Sequence, residues 1–96
     1  MRIEPGYDTM GRTSLEILCR GATHLMREKR YGGKAAVGPD TFEVLHRQLT
    51  TERVLTARGE WDGNRPYLRL AICGRELVIN MSDDVPEGCY DLAETR

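Results

Sequence analysis

The stretch from Tyr67 to Met81 constrains the fold more than any other part of the chain. Large apolar residues alternate there with other residues on both sides of a Gly-Arg pair. Alternation of period two is typical of strands that bury one face. Glycine readily adopts the positive φ required at the first central position of a type II′ turn. The sequence therefore predicts a hairpin turning at Gly74 and Arg75. The predicted pairs are Ile72 with Leu77, Leu70 with Ile79, and Leu68 with Met81.

Two amphipathic helices are predicted upstream of the hairpin. The first is expected over residues 14–30, because residues 13–16 read as a capping box and apolar residues then recur at helical spacing. The second is expected to take Asp40 as its N-cap and to end near residue 51. The helices should pack on the hairpin. The predicted core residues are Leu18, Leu25, Phe42, Leu45, Leu49, Leu70, Ile72, Leu77 and Ile79.

The remaining segments are interpreted from their turn residues and β-branched residues. Residues 31–39 are rich in glycine and are expected to form a mobile connection. Residues 53–58 can form a strand, and residues 59–66 are expected to form a turn-rich loop. Pro86 and Gly88 predict a type I turn with the proline at its second position. A short final strand follows over Cys89–Leu92, and the tail is expected to be loose.

Residues 1–11 predict an extended N-terminal arm. They hold few apolar groups and no sustained period, so burial within the chain is not expected to repay the entropy of ordering them. Ile3 and Tyr7 are its candidate anchors, either on the domain or on a neighbouring molecule. The predicted fold is therefore an α+β domain over residues 12–96, preceded by this arm. Two helices would pack on a small antiparallel sheet of three or four strands.

Composition and charge restrict the class of protein. The chain has 96 residues, 40% of them apolar and 30% charged, as in soluble globular domains. No run of apolar residues is long enough to span a membrane, and residues 1–8 show no apolar signal segment. These features predict a cytoplasmic location in the producing cell, with no membrane association.

No pattern typical of an enzyme or a metalloprotein is present. The three cysteines have no CxxC spacing, and the two histidines lie in no catalytic motif. Cys73 and Cys89 could pair only if the final strand returned beside the hairpin. The acidic residues at 83–87 read as an acidic turn, because they lack the spacing of a calcium loop. We therefore expect a protein that is not an enzyme and needs no cofactor or metal.

Charge is distributed unevenly along the chain. Residues 1–75 carry 13 lysines and arginines against 9 acidic residues, whereas residues 76–96 carry one against six. Such polarity can orient an association with a protein. It argues against nucleic acid, because a dedicated binder is usually basic overall. Trp61 and several cations are candidate contact residues. With the two arm residues, the predicted partner-binding set is Ile3, Tyr7, Arg27, Lys29, Arg30, Lys34, Trp61 and Arg69.

The C-terminal half resembles a pattern found in virion proteins of tailed phages. The residues that match it are Gly74, Leu77, Ile79, Asp84, Pro86, Gly88 and Leu92. In that pattern a glycine precedes an apolar strand, an acidic turn with proline and glycine follows, and a short strand closes the domain. The segment GPDTFEVLHRQL is similar to the helix that such small phage proteins carry. The resemblance implies a virion component of a phage or prophage.

Together these features predict a structural or interaction module that is incorporated into a virion. Its partners would be neighbouring copies or a larger shell or tail protein. Two alternatives remain open at this point: a phage-encoded inhibitor or regulator that binds one host protein, and a nucleic-acid-binding regulator. Repeated copies in an assembly would favour the first function, a one-to-one complex the second, and salt-sensitive binding to DNA or RNA the third.

Overall fold

The computed structural model describes residues 1–52, 55–61 and 65–95, with the backbone alone for 55–61 and 65. Its helices and strands are β1 (Arg2–Ile3), α1 (Ser14–Arg27), β2 (Tyr31–Val37), α2 (Pro39–Thr51), β3 (Leu55–Trp61), β4 (Arg65–Ile72), β5 (Arg75–Met81) and β6 (Tyr90–Glu94), with a 3₁₀ turn at Tyr7–Thr9.

Five strands form one mixed sheet, and the two-residue strand β1 extends its edge. The order across the sheet is β1-β6-β2-β5-β4-β3. Neighbouring strands are antiparallel except for β2 and β5, which are parallel. The predicted α+β class is confirmed. The expectation of three or four antiparallel strands is wrong, because the segment read as a mobile connection contributes a strand.

That segment is β2, which lies between β6 and β5 and pairs with both. Its sequence YGGKAAV lacks the large alternating residues that identify a strand. The glycine at position 32 has a packing reason. A Cβ atom there would lie 2.6 Å from the carbonyl oxygen of Ala93. Because β6 comes so close, only glycine fits at this position of the strand, although glycine is more typical of loops.

The two helices lie close to their predicted positions. Thr13 caps α1 as expected, since its side chain accepts a hydrogen bond from the N–H of Glu16. The helix ends at Arg27 rather than residue 30, and Lys29 adopts a positive φ of 59° in the turn that leads into β2. The N-cap of α2 is Gly38, so the prediction of Asp40 is wrong, while the end at Thr51 agrees with the expectation.

Glu87 takes over the capping role at α2. Its carboxylate accepts hydrogen bonds from the N–H of Asp40 (3.1 Å) and from the N–H and hydroxyl of Thr41 (both 2.8 Å). Desolvation acts to raise the pKa of Glu87, but the hydrogen bonds from Thr41 and Asp40 outweigh it and lower the pKa. The acidic turn is therefore tied to a helix that lies some 45 residues earlier in the chain.

The turn around Glu87 also differs from the predicted type. The N–H of Cys89 donates to the carbonyl of Pro86 at 3.1 Å, so Pro86 is the first residue of the turn rather than the second. Gly88 is its third residue and has a positive φ of 82°. This geometry is that of a type II turn. The final strand then runs over residues 90–94 instead of 89–92.

The central hairpin forms from β4 and β5, but its turn is Cys73-Gly74. Both residues have positive φ, 51° and 77°, as a type I′ turn requires. Leu70 therefore faces Leu77, and Leu68 faces Ile79. The predicted register is wrong by two residues. A shift of two preserves the inward face, because side chains alternate with period two.

All nine predicted core residues are buried, with exposures of 0–5%. The inward residues of β2, β4, β5 and β6 pack with both helices in one hydrophobic cluster. The helices thus cover one face of the sheet, and no described helix lies on the other.

The N-terminal arm is partly integrated into this domain. β1 pairs with β6, and the terminal amino group of Met1 donates to the carbonyl of Leu92 at 2.7 Å. Ile3 packs against α1 at Gly21, where a Cβ atom would lie 2.7 Å from its Cδ1 atom. Of the two anchoring sites predicted for Ile3, the structure shows the one on the domain, because the chain's own sheet edge and α1 accept this side chain. The boundary predicted at residue 11 stays a prediction.

Two other predictions fall partly outside the described residues. The strand predicted at 53–58 is described from Leu55 onward as β3. In the loop predicted at 59–66, residues 62–64 are outside the described part. Residues 59–61 belong to β3 and residues 65–66 to β4, so the strands extend further into the predicted loop than expected.

Candidate interaction surface

The surface of the sheet opposite the helices is the first candidate site, and we call it the open sheet face. Its residues alternate along each strand with the core residues. Those whose side chains are described are Lys34, Ala36, Tyr67, Arg69, Ala71, Glu76, Val78, Asn80, Asp91 and Ala93. Four are alanine or valine, and no phenylalanine, leucine or isoleucine is among them. Small side chains allow another polypeptide to approach the backbone of the sheet closely.

Arg69 and Asp91, two charged residues of this face, are each paired within the chain. The Nε atom of Arg69 lies 3.1 Å from a carboxylate oxygen of Glu76, and its guanidinium lies 5.7 Å from the ring centroid of Tyr67. The Arg69–Glu76 contact is an ion pair whose angles do not satisfy a hydrogen bond. Arg2 reaches Asp91 at 3.4 Å. These pairs leave the centre of the face with less charge than its composition suggests.

A depression of about 300 Å³ lies near the centre, where β6, β2 and β5 adjoin. We call it the face depression. Asp91, Ala36 and Asn80 lie side by side across these three strands. Lys34 and Ala93 complete the outward side chains that line it.

Asn80 is the unusual residue of the face depression. Its Oδ1 atom is buried and has no hydrogen-bond partner among the described residues. A buried acceptor without a partner carries a desolvation cost of roughly 1–3 kcal/mol. Most such groups in native proteins are satisfied. Because this atom is buried, a donor from outside the chain reaches it only if the Asn80 side chain turns toward the surface.

A second surface lies on the other side of the molecule, at residues 6–12, which we call the N-terminal turn. Tyr7 and Met10 are 89% and 75% exposed, and they are the exposed large hydrophobic residues of the described chain. They are three residues apart, and the N–H of Met10 donates to the carbonyl of Tyr7. Isolated exposed apolar residues are ordinary, but these two form one patch.

Hydrogen bonds within the N-terminal turn hold it in shape. The Thr9 hydroxyl accepts from the N–H of Gly6 at 2.9 Å and donates to its carbonyl at 3.0 Å. The Nε of Arg12 donates to the carbonyl of Asp8 at 3.1 Å. These bonds order a segment whose apolar side chains contribute little to the core, so the exposed pair is presented in a defined arrangement.

A basic groove separates the N-terminal turn from α1. A cavity of about 270 Å³ is lined there by Arg12, Arg20 and His24 together with Asp8. Arg27 continues the basic edge along the helix. His24 lies 3.3 Å from Glu28, which also pairs with Arg30. The acidic residues beside the groove reduce its net positive charge.

The predicted partner-binding residues are not brought together. Lys34 and Arg69 lie on the open sheet face, and Tyr7 lies on the N-terminal turn. Arg27 and Lys29 are exposed near the end of α1. Arg30 is half-buried, with ion pairs to Glu28 and Glu94 at 3.0 and 2.8 Å. Ile3 is packed on the core, and the side chain of Trp61 lies outside the described part.

Ala36 is the site residue that the sequence did not indicate. The alternation of the hairpin places Asn80 with Arg69, Ala71 and Val78 on the side away from the core, a side that could meet water or a partner. Ala36 was missed because β2 was not recognised as a strand. Met10 is predicted, like Ile3 and Tyr7, to be buried only if something accepts it, but it is not in the predicted partner-binding set.

The reactive side chains show no arrangement for nucleophilic or metal chemistry in the described part of the chain. Cys19, Cys73 and Cys89 are all free thiols. Burial raises the pKa of Cys19, and the neighbouring Cys73 and Glu16 raise it further, so this thiol is a poor nucleophile at neutral pH. Among the described residues, no three histidine, cysteine or acidic side chains are grouped to hold a metal ion.

Within residues 1–52, 55–61 and 65–95, no helix combines the length and the apolar character needed to cross a membrane. Comparison of the chain with protein-family models, with curated proteins and with solved structures found no significant match.

Proposed function

We propose that this chain is a non-enzymatic interaction module that binds a protein through its open sheet face. The observation that carries the proposal is the uncovered face, with small side chains at its centre and an unpartnered buried amide oxygen at Asn80. A second polypeptide laid on these alanines would exclude water from them and could satisfy Asn80.

The setting that we propose is a small virion component of a phage or prophage. The pattern in the C-terminal half that resembles such proteins supports this setting. Two of its matching residues, Pro86 and Gly88, belong to the turn that carries the cap of α2. The partner would be neighbouring copies of the chain or a larger shell or tail protein.

A charged substitution at the centre of the face tests the proposal. Ala36→Arg places a long cation where a partner must approach, so association should weaken by at least tenfold. Thr51→Arg is the matched control, because it adds the same group at an exposed position of α2. Light scattering over a concentration series, alone and with the shell or tail proteins of the source phage, measures the effect. Equal association of both folded variants would contradict the proposal.

The basic groove along α1 favours a second candidate, a regulator that binds an acidic surface of a host protein. Arg20 and Arg27 are exposed there, on the same side of the helix. Asp8 and Glu28 lie close to them and would repel the phosphates of a nucleic acid. When light scattering is measured with the host protein in place of the shell or tail proteins, this candidate predicts loss of association with Arg27→Glu and no loss with Ala36→Arg.

A further inference from the structure

We infer that the partner on the open sheet face is a second copy of this chain, whose N-terminal turn seats Tyr7 in the face depression. This inference rests on the proposed function and deepens it. It joins two features that no contact within the described part of a single chain explains: an exposed apolar pair and an unfilled depression with an unpartnered amide.

The two surfaces lie on opposite sides of one chain. Residues 8–12 line a groove against α1, so the N-terminal turn belongs to the helical layer. The face depression opens on the side of the sheet that the helices leave uncovered. A chain therefore cannot fill its own depression, and Tyr7 can enter only the depression of another copy.

The chemistry of the depression fits a tyrosine. Its outward walls include Ala36 and Ala93, which leave room for a ring, and its volume is about 300 Å³. The buried oxygen of Asn80 accepts no hydrogen bond from the described residues. A tyrosine hydroxyl both donates and accepts, so it can pair with the amide once the Asn80 side chain turns outward and brings that oxygen to the surface.

Charge on the two surfaces is complementary. Asp8 follows Tyr7 in the N-terminal turn, and Lys34 lies at the edge of the face depression. Neither side chain has a charged partner among the described residues. An Asp8–Lys34 pair at the rim would steer the approach more than it would add affinity.

The contact is heterologous, because different surfaces of the two copies meet. Such contacts close into rings or continue as filaments. One tyrosine, one methionine and a shallow depression bury less area than a stable dimer requires. A single contact should therefore have a Kd of roughly 10 μM to 1 mM, and many copies in an assembly would strengthen it through multivalency.

Mixing two defective variants tests this arrangement. The Tyr7→Ser chain keeps an intact depression, and the Ala36→Arg chain keeps an intact tyrosine. Each should be monomeric alone at roughly millimolar concentration, where the wild type associates. Mixed, they should form a one-to-one dimer that grows no further, because only one productive contact remains. Sedimentation velocity measures the species, and circular dichroism confirms that both variants are folded.

A pair of conservative variants tests the hydrogen bond itself. Tyr7→Phe should weaken the association about two- to tenfold, as expected for one lost hydrogen bond. In the Asn80→Leu background, the same change should have no further effect. If Tyr7 or Asn80 acted only on folding, the effects of Tyr7→Phe and Asn80→Leu on association would add.

The other possible results contradict this inference, and they also show whether the proposed function fails with it. If Tyr7→Ser still associates while Ala36→Arg does not, the face binds a copy symmetrically, and only the proposed function survives. Only the proposed function also survives if the wild-type chain is monomeric at millimolar concentration but binds a shell or tail protein, and Ala36→Arg removes this binding. If Ala36→Arg associates like the wild type, both proposals fail.

Discussion

At the scale of single residues, the structure depends on side chains that act far from their place in the sequence. Glu87 supplies the acceptors that Gly38 cannot, since a glycine N-cap has no side chain. Gln48 does the same at α1, where its side-chain oxygen accepts from the N–H of Leu15 at 3.0 Å. Both contacts satisfy donors that a helix leaves unpaired in its first turn.

Removing the Glu87 carboxylate should destabilise the fold by about 1 kcal/mol at pH 7, the usual cost of losing a helix cap. The pKa of Glu87 is lowered in the folded chain. Its contribution is therefore complete above the unfolded pKa and is lost as pH falls through the folded pKa. Urea melts of Glu87→Ala and wild type should accordingly differ at pH 7 and converge in acid.

Asp84→Asn is the matched control for this prediction, because it removes a carboxylate from the same acidic turn without touching α2. It should leave stability nearly unchanged at both pH values. A Glu87→Ala variant as stable as wild type at pH 7 would show that the contacts with Thr41 contribute nothing net.

At the scale of secondary-structure elements, the hairpin turn shows how backbone conformation and residue type can disagree. The type I′ turn places Cys73 at a φ of 51°, a conformation that costs an ordinary residue roughly 1–2 kcal/mol. Asparagine tolerates it far better, and Asn-Gly is the preferred pair for this turn. The register thus persists because of the apolar pairs along β4 and β5, despite a turn residue that does not favour it.

Cys73→Asn should stabilise the domain by about 0.5–1 kcal/mol, part of the strain just described. The side chain is exposed, so the substitution loses no packing. Cys73→Ser serves as a control of similar size and should be close to neutral. Denaturant unfolding measures both variants. Destabilisation by asparagine would contradict the type I′ assignment and favour the register predicted from sequence.

At the scale of the whole molecule, the first three residues complete the sheet. The N–H of Leu92 donates to the carbonyl of Met1 at 2.7 Å, and the terminal amino group lies 3.6 Å from Glu94. Ile3 covers part of α1 and the core. The sheet edge at β6 is thereby blocked by the chain's own terminus, which is a common way to protect an edge strand.

Deleting residues 1–3, with a new initiating methionine, should lower the free energy of unfolding by roughly 1–3 kcal/mol, from lost burial of Ile3 and lost pairing with β6. Tyr7→Ser should leave stability unchanged, because that side chain is 89% exposed. Thermal and urea melts make the comparison. An unchanged melting temperature after the deletion would show that residues 1–3 do not stabilise the domain and behave as a free arm.

The sequence by itself determined nine residues of the core, together with the two helices and the hairpin that carry them. Burial of Leu70, Ile79 and Phe42 was predictable, because the apolar periods of a strand and a helix are local properties. The cap at Thr13 was predictable for the same reason, since a capping box spans four residues. These features require no knowledge of what lies beside them in space.

Only the tertiary structure decided the identity of β2, the register of the hairpin and the composition of the open sheet face. Gly32 and Ala36 are in a strand because β6 and β5 pair with it from both sides, and a weak local preference yields to that pairing. The face depression joins residues of β2 with residues of β5 and β6, which come more than 40 residues later in the chain. A site assembled from such distant segments has no local pattern, so only the fold could reveal it.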